Sequence, residues 1–415
     1  MLTERATRMD PAVPVLPDRA TVAVLGLGYV GLPVALTCAE AGFRVVGIDS
    51  DPKRVQLLRE AAVDGPEVFQ LSGALRDGNL AVTHDAASLG RADAVFICVP
   101  TPLEEGEARH EAVRACAAAF ARHGRADALV ILESTVRPGF VEELHALLGH
   151  GGEVALAYAP ERIDPQRSRD GMRLREIPRL VAGVTAEAQE RATALLRAMG
   201  VAVHPVTLRV AEYAKLLENS YRLLNVAFID QLAALCRAEG VDPRAVIEAA
   251  ATKPFGFQPF WPGVGAGGHC VAVDPAFLTH RGREAGEPLT LLERALDANA
   301  RRPRAVAAAV AAATEPGDAV LVVGLTYKAG VADTRESAAV AAARALGGMN
   351  RRVLAFDVLV PPPDGLEGVS LADGLRRAVA AVLLVPQPDA VLAALAASGL
   401  TLFDATGTLP GAVGV

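Results

Sequence analysis

The 415-residue sequence contains no run of 18 apolar residues, which excludes an apolar helix long enough to span a bilayer. Cysteine is scarce and unpaired in spacing: Cys38, Cys98, Cys116, Cys236 and Cys270 are odd in number and form no CxxC, which argues against a disulfide framework or a zinc site. Positive charge is not in excess either. A net charge of −7 with no basic cluster excludes the electrostatic footprint of a nucleic-acid binder. The unpaired cysteines point to a reducing cytoplasm, and the first 18 residues, which lack the apolar core of a signal peptide, are expected to form a disordered tail. Short-period repeats and low-complexity tracts are absent as well.

What is present is a folded chain of enzyme size, long enough for two or three domains. From Thr21, "TVAVLGLGYVGLPVALTCAEAGFRVVGIDSD" reads as strand, glycine turn, apolar helix and second strand, one βαβ unit. Apolar runs at "ADAVFICVP", "DALVILEST" and "EVALAYAPE" follow, separated by helix-like stretches. Residues 19–208 are therefore expected to form a doubly wound parallel sheet with functional loops at the carboxyl ends of its strands. Residues 209–302 change character. Arg209 to Gly240 reads as one helix of about 45 Å, with Val210, Ala214, Leu217, Tyr221, Leu224 and Phe228 as its core-facing stripe and Lys215, Asn219 and Arg222 on the opposite side. Residues 303–415 return to an α/β pattern. The fold expected is α/β, two Rossmann-like doubly wound domains joined by a central helical domain with one long helix.

Gly26, Gly28 and Gly31 make GxGxxG between a strand and a helix, the arrangement that brings backbone against a pyrophosphate at a helix N-terminus. Asp49 closes the second strand, where a carboxylate accepts hydrogen bonds from ribose hydroxyls and repels a 2′-phosphate. NAD is thus expected over NADP. The alternative is a tight turn with Asp49 as a cap.

In "WPGVGAGGHCVAVDP", Gly265, Gly267 and Gly268 remove side chains just before Cys270, allowing a ligand to approach, and Asp274 follows four residues later. A thiolate there is a candidate nucleophile; the competing reading is a small buried hydrophobe, which suits the other four cysteines. Lys215 and Asn219 lie four apart on one helix face, able to hold a developing oxyanion or simply to face solvent. Glu161 follows a strand end, where catalysis and a structural salt bridge with Arg162 or another charge are both open.

In order along the chain, "GLGYVGLPVA", "CVPTPL", "ESTVRPG", "YAPERIDP", "VAEYAKLLENSYRLLNVAF", "PGVGAGGHCVAVDP" and "GLTYKAGVADTRES" resemble the UDP-glucose/GDP-mannose dehydrogenase family of nucleotide-sugar 6-dehydrogenases. The resemblance covers nearly everything from residue 20. It implies oxidation of a C6 alcohol to a carboxylate with two NAD+, through a thiohemiacetal and a thioester on Cys270. Lys215 and Asn219 would steady the C6 oxygen, while Asp274, Glu161 and Thr101 would handle protons and the hydrolytic water. Cofactor contacts implied are Gly26, Gly28, Tyr29, Val30, Gly31, Asp49, Arg54, Thr101, Thr135 and Arg335. Substrate contacts implied are Glu161, Arg162, Lys215, Asn219, Phe255, Gly265, Gly267, Gly268 and Lys328, with no metal.

Within the family, "ATKPFGFQPFWPG" is similar to the UDP-N-acetylglucosamine branch, whereas "GHCVAVDP", with Ala272, is closer to the UDP-N-acetylmannosamine branch. Gln166, Phe140 and Thr406 depart from the usual glycine, threonine and arginine. UDP-glucose or dTDP-glucose oxidation, a two-electron hydroxy-acid dehydrogenase of the 6-phosphogluconate type, and a silent nucleotide-sugar binding protein are the competing functions. A homodimer is implied by the resemblance. The long helix adds a hint, since its polar face at Lys215 and Arg222 turns apolar at Val226 and Ala233.

Overall fold

The structure, a computed structural model, describes residues 20–63, 67–104, 107–149, 151, 153–163, 172–268 and 271–415. The expected tail at 1–18, Gln166 and Cys270 lie outside the described residues. The chain divides into two compact units, the first ending at Lys215 and the second beginning at Leu216.

The first unit runs β1 (Thr21–Leu25), α1 (Gly31–Glu40), β2 (Arg44–Ile48), α2 (Pro52–Arg59), α3 (Val68–Arg76), β3 (Leu80–Thr83), β4 (Ala94–Ile97), β5 (Leu103–Glu104), β6 (Glu107–Ala108), α4 (Glu111–His123), β7 (Leu129–Leu132), α5 (Phe140–Leu147), β8 (Ala155–Tyr158), β9 (Arg179–Gly183), α6 (Ala186–Ala198) and β10 (Val203–Pro205). Its main sheet is ordered β10-β9-β8-β7-β4-β1-β2-β3, with β5 and β6 a separate hairpin. Strands β3, β2, β1, β4, β7 and β8 are parallel neighbours, in the doubly wound order that reverses direction between β1 and β4. Among the described residues, β8 and β9 are the one antiparallel pair within that sheet. Helices cover both faces, so β4, β7 and β8 are buried at every residue and read as continuous apolar runs rather than alternating ones.

α7 (Leu208–Ala238) carries the chain across the division between units. After it come α8 (Pro243–Ala251), α9 (Asp274–Glu284), α10 (Thr290–Ala312), β11 (Ala319–Val323), α11 (Ala338–Gly348), β12 (Arg352–Phe356), β13 (Glu367–Gly368), α12 (Leu371–Arg377), β14 (Ala380–Leu383), α13 (Asp389–Ala396), β15 (Thr401–Asp404) and β16 (Val413–Gly414). The second sheet, β13-β12-β11-β14-β15-β16, is parallel throughout and repeats the order of the first. The repetition reaches single hydrogen bonds. In the first sheet Gly26 N donates to Ile48 O and Leu27 N to Asp49 Oδ2, at 2.8 Å each; in the second Gly324 N donates to Phe356 O at 2.9 Å and Leu325 N to Asp357 Oδ2 at 2.7 Å.

The long helix corrects the sequence reading of its faces. Val210, Leu217 and Phe228, assigned to the core-facing stripe, are 52%, 62% and 63% exposed. The buried face is instead Glu212, Leu216, Ser220, Leu223, Ala227 and Asp230. Both faces carry apolar residues at helical spacing, and periodicity alone does not say which one the chain covers itself. Lys215, expected opposite the core, is buried, so a solvated lysine is excluded; Arg222, one face with it, is exposed. Ala233 is buried within the chain as well, so the apolar surface left for a partner is not the Val226/Ala233 face.

Candidate active site

The glycine turn after β1 is shaped by contacts that admit no side chain. Gly26 has φ +85°, and a Cβ there would sit 2.9 Å from Val99 Cγ1. A Cβ on Gly31 would sit 1.8 Å from Gly26 O, whereas one on Gly28 would meet nothing within 4 Å. Two glycines thus close the turn and the third leaves open space beside it. α1 begins at Gly31 with Val30 as its N-cap, making no side-chain cap hydrogen bond, and with no acidic residue in the first turn. An uncapped helix N-terminus with an open backbone approach is what an anion needs. Tyr29 stands half-exposed at the same turn.

Asp49, at the end of β2, is fixed from two sides: Oδ2 accepts from Leu27 N at 2.8 Å and Oδ1 from Asp51 N at 3.0 Å. Each oxygen keeps a further lone pair for a ribose hydroxyl. Arg54 donates from Nε and Nη2 to Leu27 O at 3.1 and 2.9 Å, so its guanidinium braces the turn. On the other side of the strand-order reversal, Thr101 Oγ1 donates to Thr135 O at 2.7 Å and Ser134 Oγ to Val99 O at 2.6 Å, stitching the loops after β4 and β7 together. These residues fit a dinucleotide: an anion site at α1, a carboxylate for the ribose, and a crevice between the β1 and β4 loops.

Glu161 lies in the same unit, beside Arg162, whose Nη1 donates to Pro178 O at 3.0 Å. Among the described residues Glu161 pairs with Arg179, Nη1 lying 3.9 Å from Glu161 Oε1, and Oε1 also accepts from Ile163 N at 2.5 Å. Arg179 is itself buried and donates from Nη2 to both oxygens of Glu133 at 2.9 Å. Two buried carboxylates therefore share one buried guanidinium. Burial pushes the Glu133 carboxyl up to about 7; Arg179 pulls the other way and Glu161 adds to the rise. Beside them, burial and then Glu133 push the Cys98 thiol well above its ordinary value, and burial does the same to Cys38. Cys116 is pushed up to about 12. All three shifts favour the protonated thiol, and Cys38 and Cys98 are buried as small hydrophobes are, whereas Cys116 is only partly buried. Sequence reasoning missed Glu133 and Arg179. The available signal was a carboxylate ending the otherwise apolar run "DALVILE", which demands a buried cation.

In the second unit Asn219 Nδ2, on α7, donates to Asp274 Oδ2 at 2.5 Å. Asp274 is the first residue of α9 and is buried. The two candidates, 55 positions apart in sequence, thus form one hydrogen-bonded pair. The glycine run is packed closely against the β11–α11 loop. A Cβ on Gly267 would lie 2.7 Å from Glu336 O, and one on Gly268 2.6 Å from the Tyr327 ring. The space vacated by their missing side chains is filled by the protein itself. Lys328 and Arg335 lie in the loop between β11 and α11, where Asp333 accepts from Arg335 Nη2 at 2.7 Å. Phe255 is 70% exposed, with Lys253 Nζ 4.9 Å from its ring centroid. Thr406, on the far loop after β15, bonds Asp404 Oδ1 from Oγ1 at 2.7 Å, and Phe140 is buried against His110, ring centroids 4.1 Å apart. Among the described residues no group of three or more His, Cys, Asp or Glu side chains is placed to hold a metal ion. No described helix is long and apolar enough to cross a membrane.

Comparison with known proteins gives a consistent result. The NAD-binding domain of the UDP-glucose/GDP-mannose dehydrogenase family matches residues 20–199, and the central domain of the same family matches residues 209–301. The UDP-N-acetyl-D-glucosamine 6-dehydrogenase of Pseudomonas aeruginosa is 34% identical over 368 residues, covering 83% of this chain and 84% of that protein. Among solved structures, a UDP-D-ManNAc dehydrogenase from Pyrococcus horikoshii has a TM-score of 0.84 at 29% identity, covering 95% of this chain and 98% of that one. A UDP-glucose dehydrogenase from Pyrobaculum islandicum has a TM-score of 0.85 at 27% identity, covering 98% and 99%.

Proposed function

The chain belongs to the UDP-glucose/GDP-mannose dehydrogenase family of NAD-dependent nucleotide-sugar dehydrogenases, and from that premise we propose that it oxidises the C6 alcohol of a UDP-N-acetylhexosamine, UDP-N-acetylglucosamine or UDP-N-acetylmannosamine, to the uronic acid in two successive oxidations. The observation that carries the proposal is the Asn219–Asp274 pair, which ties the amide of α7 to a buried carboxylate four residues beyond Cys270. The names of the relatives support the substrate class.

NAD+ would be held by the Gly26–Gly31 turn, Asp49 and the loops at Thr101 and Thr135, and two molecules bound in succession would each accept one hydride, one for each oxidation. Lys215 and Asn219 stabilise charge on the C6 oxygen, a role that suits a buried lysine and an amide one helical turn apart. The Cys270 thiolate adds to the C6 aldehyde, forming a C–S bond while the aldehyde oxygen takes a proton. The aldehyde therefore does not diffuse away. After the second oxidation C6 is a thioester; water adds, the C–S bond breaks, and the thiolate leaves as the carboxylate forms. Asp274 and Glu161 accept and return the protons, Thr101 helps them hold the hydrolytic water, and Lys328 offsets the charge of the nucleotide phosphates on a C-terminal domain of residues 303–415. The reducing cytoplasm suits a thiol nucleophile.

We infer a homodimer formed through the exposed apolar stripe of α7, Leu217, Tyr221 and Phe228 among its residues. The function is tested by counting NADH per sugar against UDP-, dTDP- and GDP-sugars. Two per UDP-N-acetylhexosamine, lost in Cys270→Ala with sugar binding retained, supports the proposal. One NADH with an aldehyde or ketone product overturns it, and preference for UDP-glucose moves the substrate.

A further inference from the structure

The segment that leads into Cys270 is gripped by an amide that no sequence motif pointed to. Asn299, in the middle of α10, accepts from Ala266 N through Oδ1 at 2.7 Å and donates from Nδ2 to Ala266 O at 2.9 Å. One side chain thereby saturates both main-chain groups of one loop residue. The neighbouring geometry is built around the same contact. Gly265 adopts φ +115°, and a Cβ there would lie 3.3 Å from Asn299 Oδ1 and 3.5 Å from Asn299 O. Pro303 stands four residues later inside the helix and has no N–H to give to the Asn299 carbonyl. The Asn299 carbonyl therefore has no N–H four residues on to accept from, and it lies beside the glycine loop.

Flanking bonds fix the ends of the segment. Gly263 N donates to Asp230 Oδ1 at 2.9 Å, and Arg302 Nε donates to Gly263 O at 2.9 Å. Gly268 N donates to Glu336 O at 3.0 Å, and Glu336 holds a left-handed φ of +49° that an L residue adopts at a cost. Between these ends, Asn299 is the side chain that sets the conformation of the middle.

We propose that Asn299 is a positioning residue for the nucleotide-sugar site: its two-point hydrogen bond to Ala266 fixes the conformation of Gly265–Gly268, the run that precedes Cys270 in the sequence. This rests on the function proposed above for Cys270. The residue touches no reacting atom and acts through the main chain of the loop.

The test compares the full-length enzyme with Asn299→Leu, which keeps the size and loses both bonds, and Asn299→Asp, which keeps only the acceptor for Ala266 N. Three readouts are taken: NADH released per UDP-N-acetylhexosamine, the rate of Cys270 alkylation by iodoacetamide followed on its peptide by mass spectrometry, and NADH affinity by fluorescence. Asn299→Leu is expected to lower kcat by about 10- to 100-fold, the scale of a misplaced reacting group, with KM changed much less. NADH per sugar falls below two as aldehyde escapes, the alkylation rate changes, and NADH affinity stays at the wild-type value. Asn299→Asp is expected to fall between wild type and Asn299→Leu in each affected readout. The proposal is overturned if Asn299→Leu keeps wild-type kcat and alkylation rate, or if all variants lose NADH affinity and activity together, the pattern of general unfolding. If the wild-type enzyme releases one NADH per sugar, the functional proposal fails instead. The alkylation comparison then still decides whether Asn299 fixes the loop.

Discussion

Arg179 Nη2 lies 2.9 Å from both carboxylate oxygens of Glu133, and the two side chains, 1% and 0% exposed, have almost no contact with water. An ion pair so placed gains little over an apolar pair of the same volume, but losing one member strands the other. Arg179→Met leaves Glu133 and Glu161 facing one another without their cation and is expected to destabilise the first unit by about 3–5 kcal/mol. Urea unfolding measures this. The double variant Glu133→Leu/Arg179→Met should recover part of the loss, and a single variant as stable as wild type would contradict the pairing.

His110 is buried against Phe140 with Arg137 and Arg114 nearby, and burial foremost, then the two guanidinium groups, lowers its pKa from 6.5 to about 4. The folded state therefore resists a proton that the unfolded chain accepts. Its contribution to stability is present above about pH 6.5 and is lost as pH falls through about 4. The stability difference between wild type and His110→Phe should accordingly shift against wild type between pH 7 and pH 5, read as a change in the difference of urea midpoints. A pH-independent difference would show that His110 titrates normally.

Gly31→Ala and Gly28→Ala should part company. The first places a Cβ 1.8 Å from Gly26 O and has no room to relax without opening the turn; the second meets nothing within 4 Å. Overpacking at Gly31 is expected to cost about 1–3 kcal/mol of stability and to abolish NADH binding, whereas Gly28→Ala should melt as wild type and weaken only NADH binding. Thermal melts with a fluorescence titration separate the two cases.

The exposed stripe of α7 offers Leu217 at 62% and Phe228 at 63% exposure. If a second copy covers it, Leu217→Asp with Phe228→Asp should convert the dimer to a monomer in sedimentation, with the monomer's far-UV dichroism unchanged. A wild-type protein that sediments as a monomer at micromolar concentration removes the dimer.

The GxGxxG turn and Asp49 were legible because every element of that unit is local: strand, turn, helix and second strand follow one another within 30 residues or so, and each glycine has one steric job. Asp357 does for the second sheet what Asp49 does for the first, yet "GLTY" in place of "GLGY" hides it, since the loop no longer runs straight into a helix. Glu133 and Arg179 were invisible for another reason. They sit 46 positions apart on β7's end and β9, and only the sheet order brings them together.

The sequence by itself determined the class of fold, the nature of the cofactor and the family, because these depend on residue types at short, fixed separations where backbone sterics leave few choices. Tertiary structure alone decided which face of α7 is buried, which cation neutralises Glu161, and that the glycines before Cys270 admit the protein's own Glu336 and Tyr327. A helix with two apolar faces and a loop with three glycines each satisfy their local rules in more than one way. The choice falls to whichever distant segment packs against them, and that is a property of the folded chain.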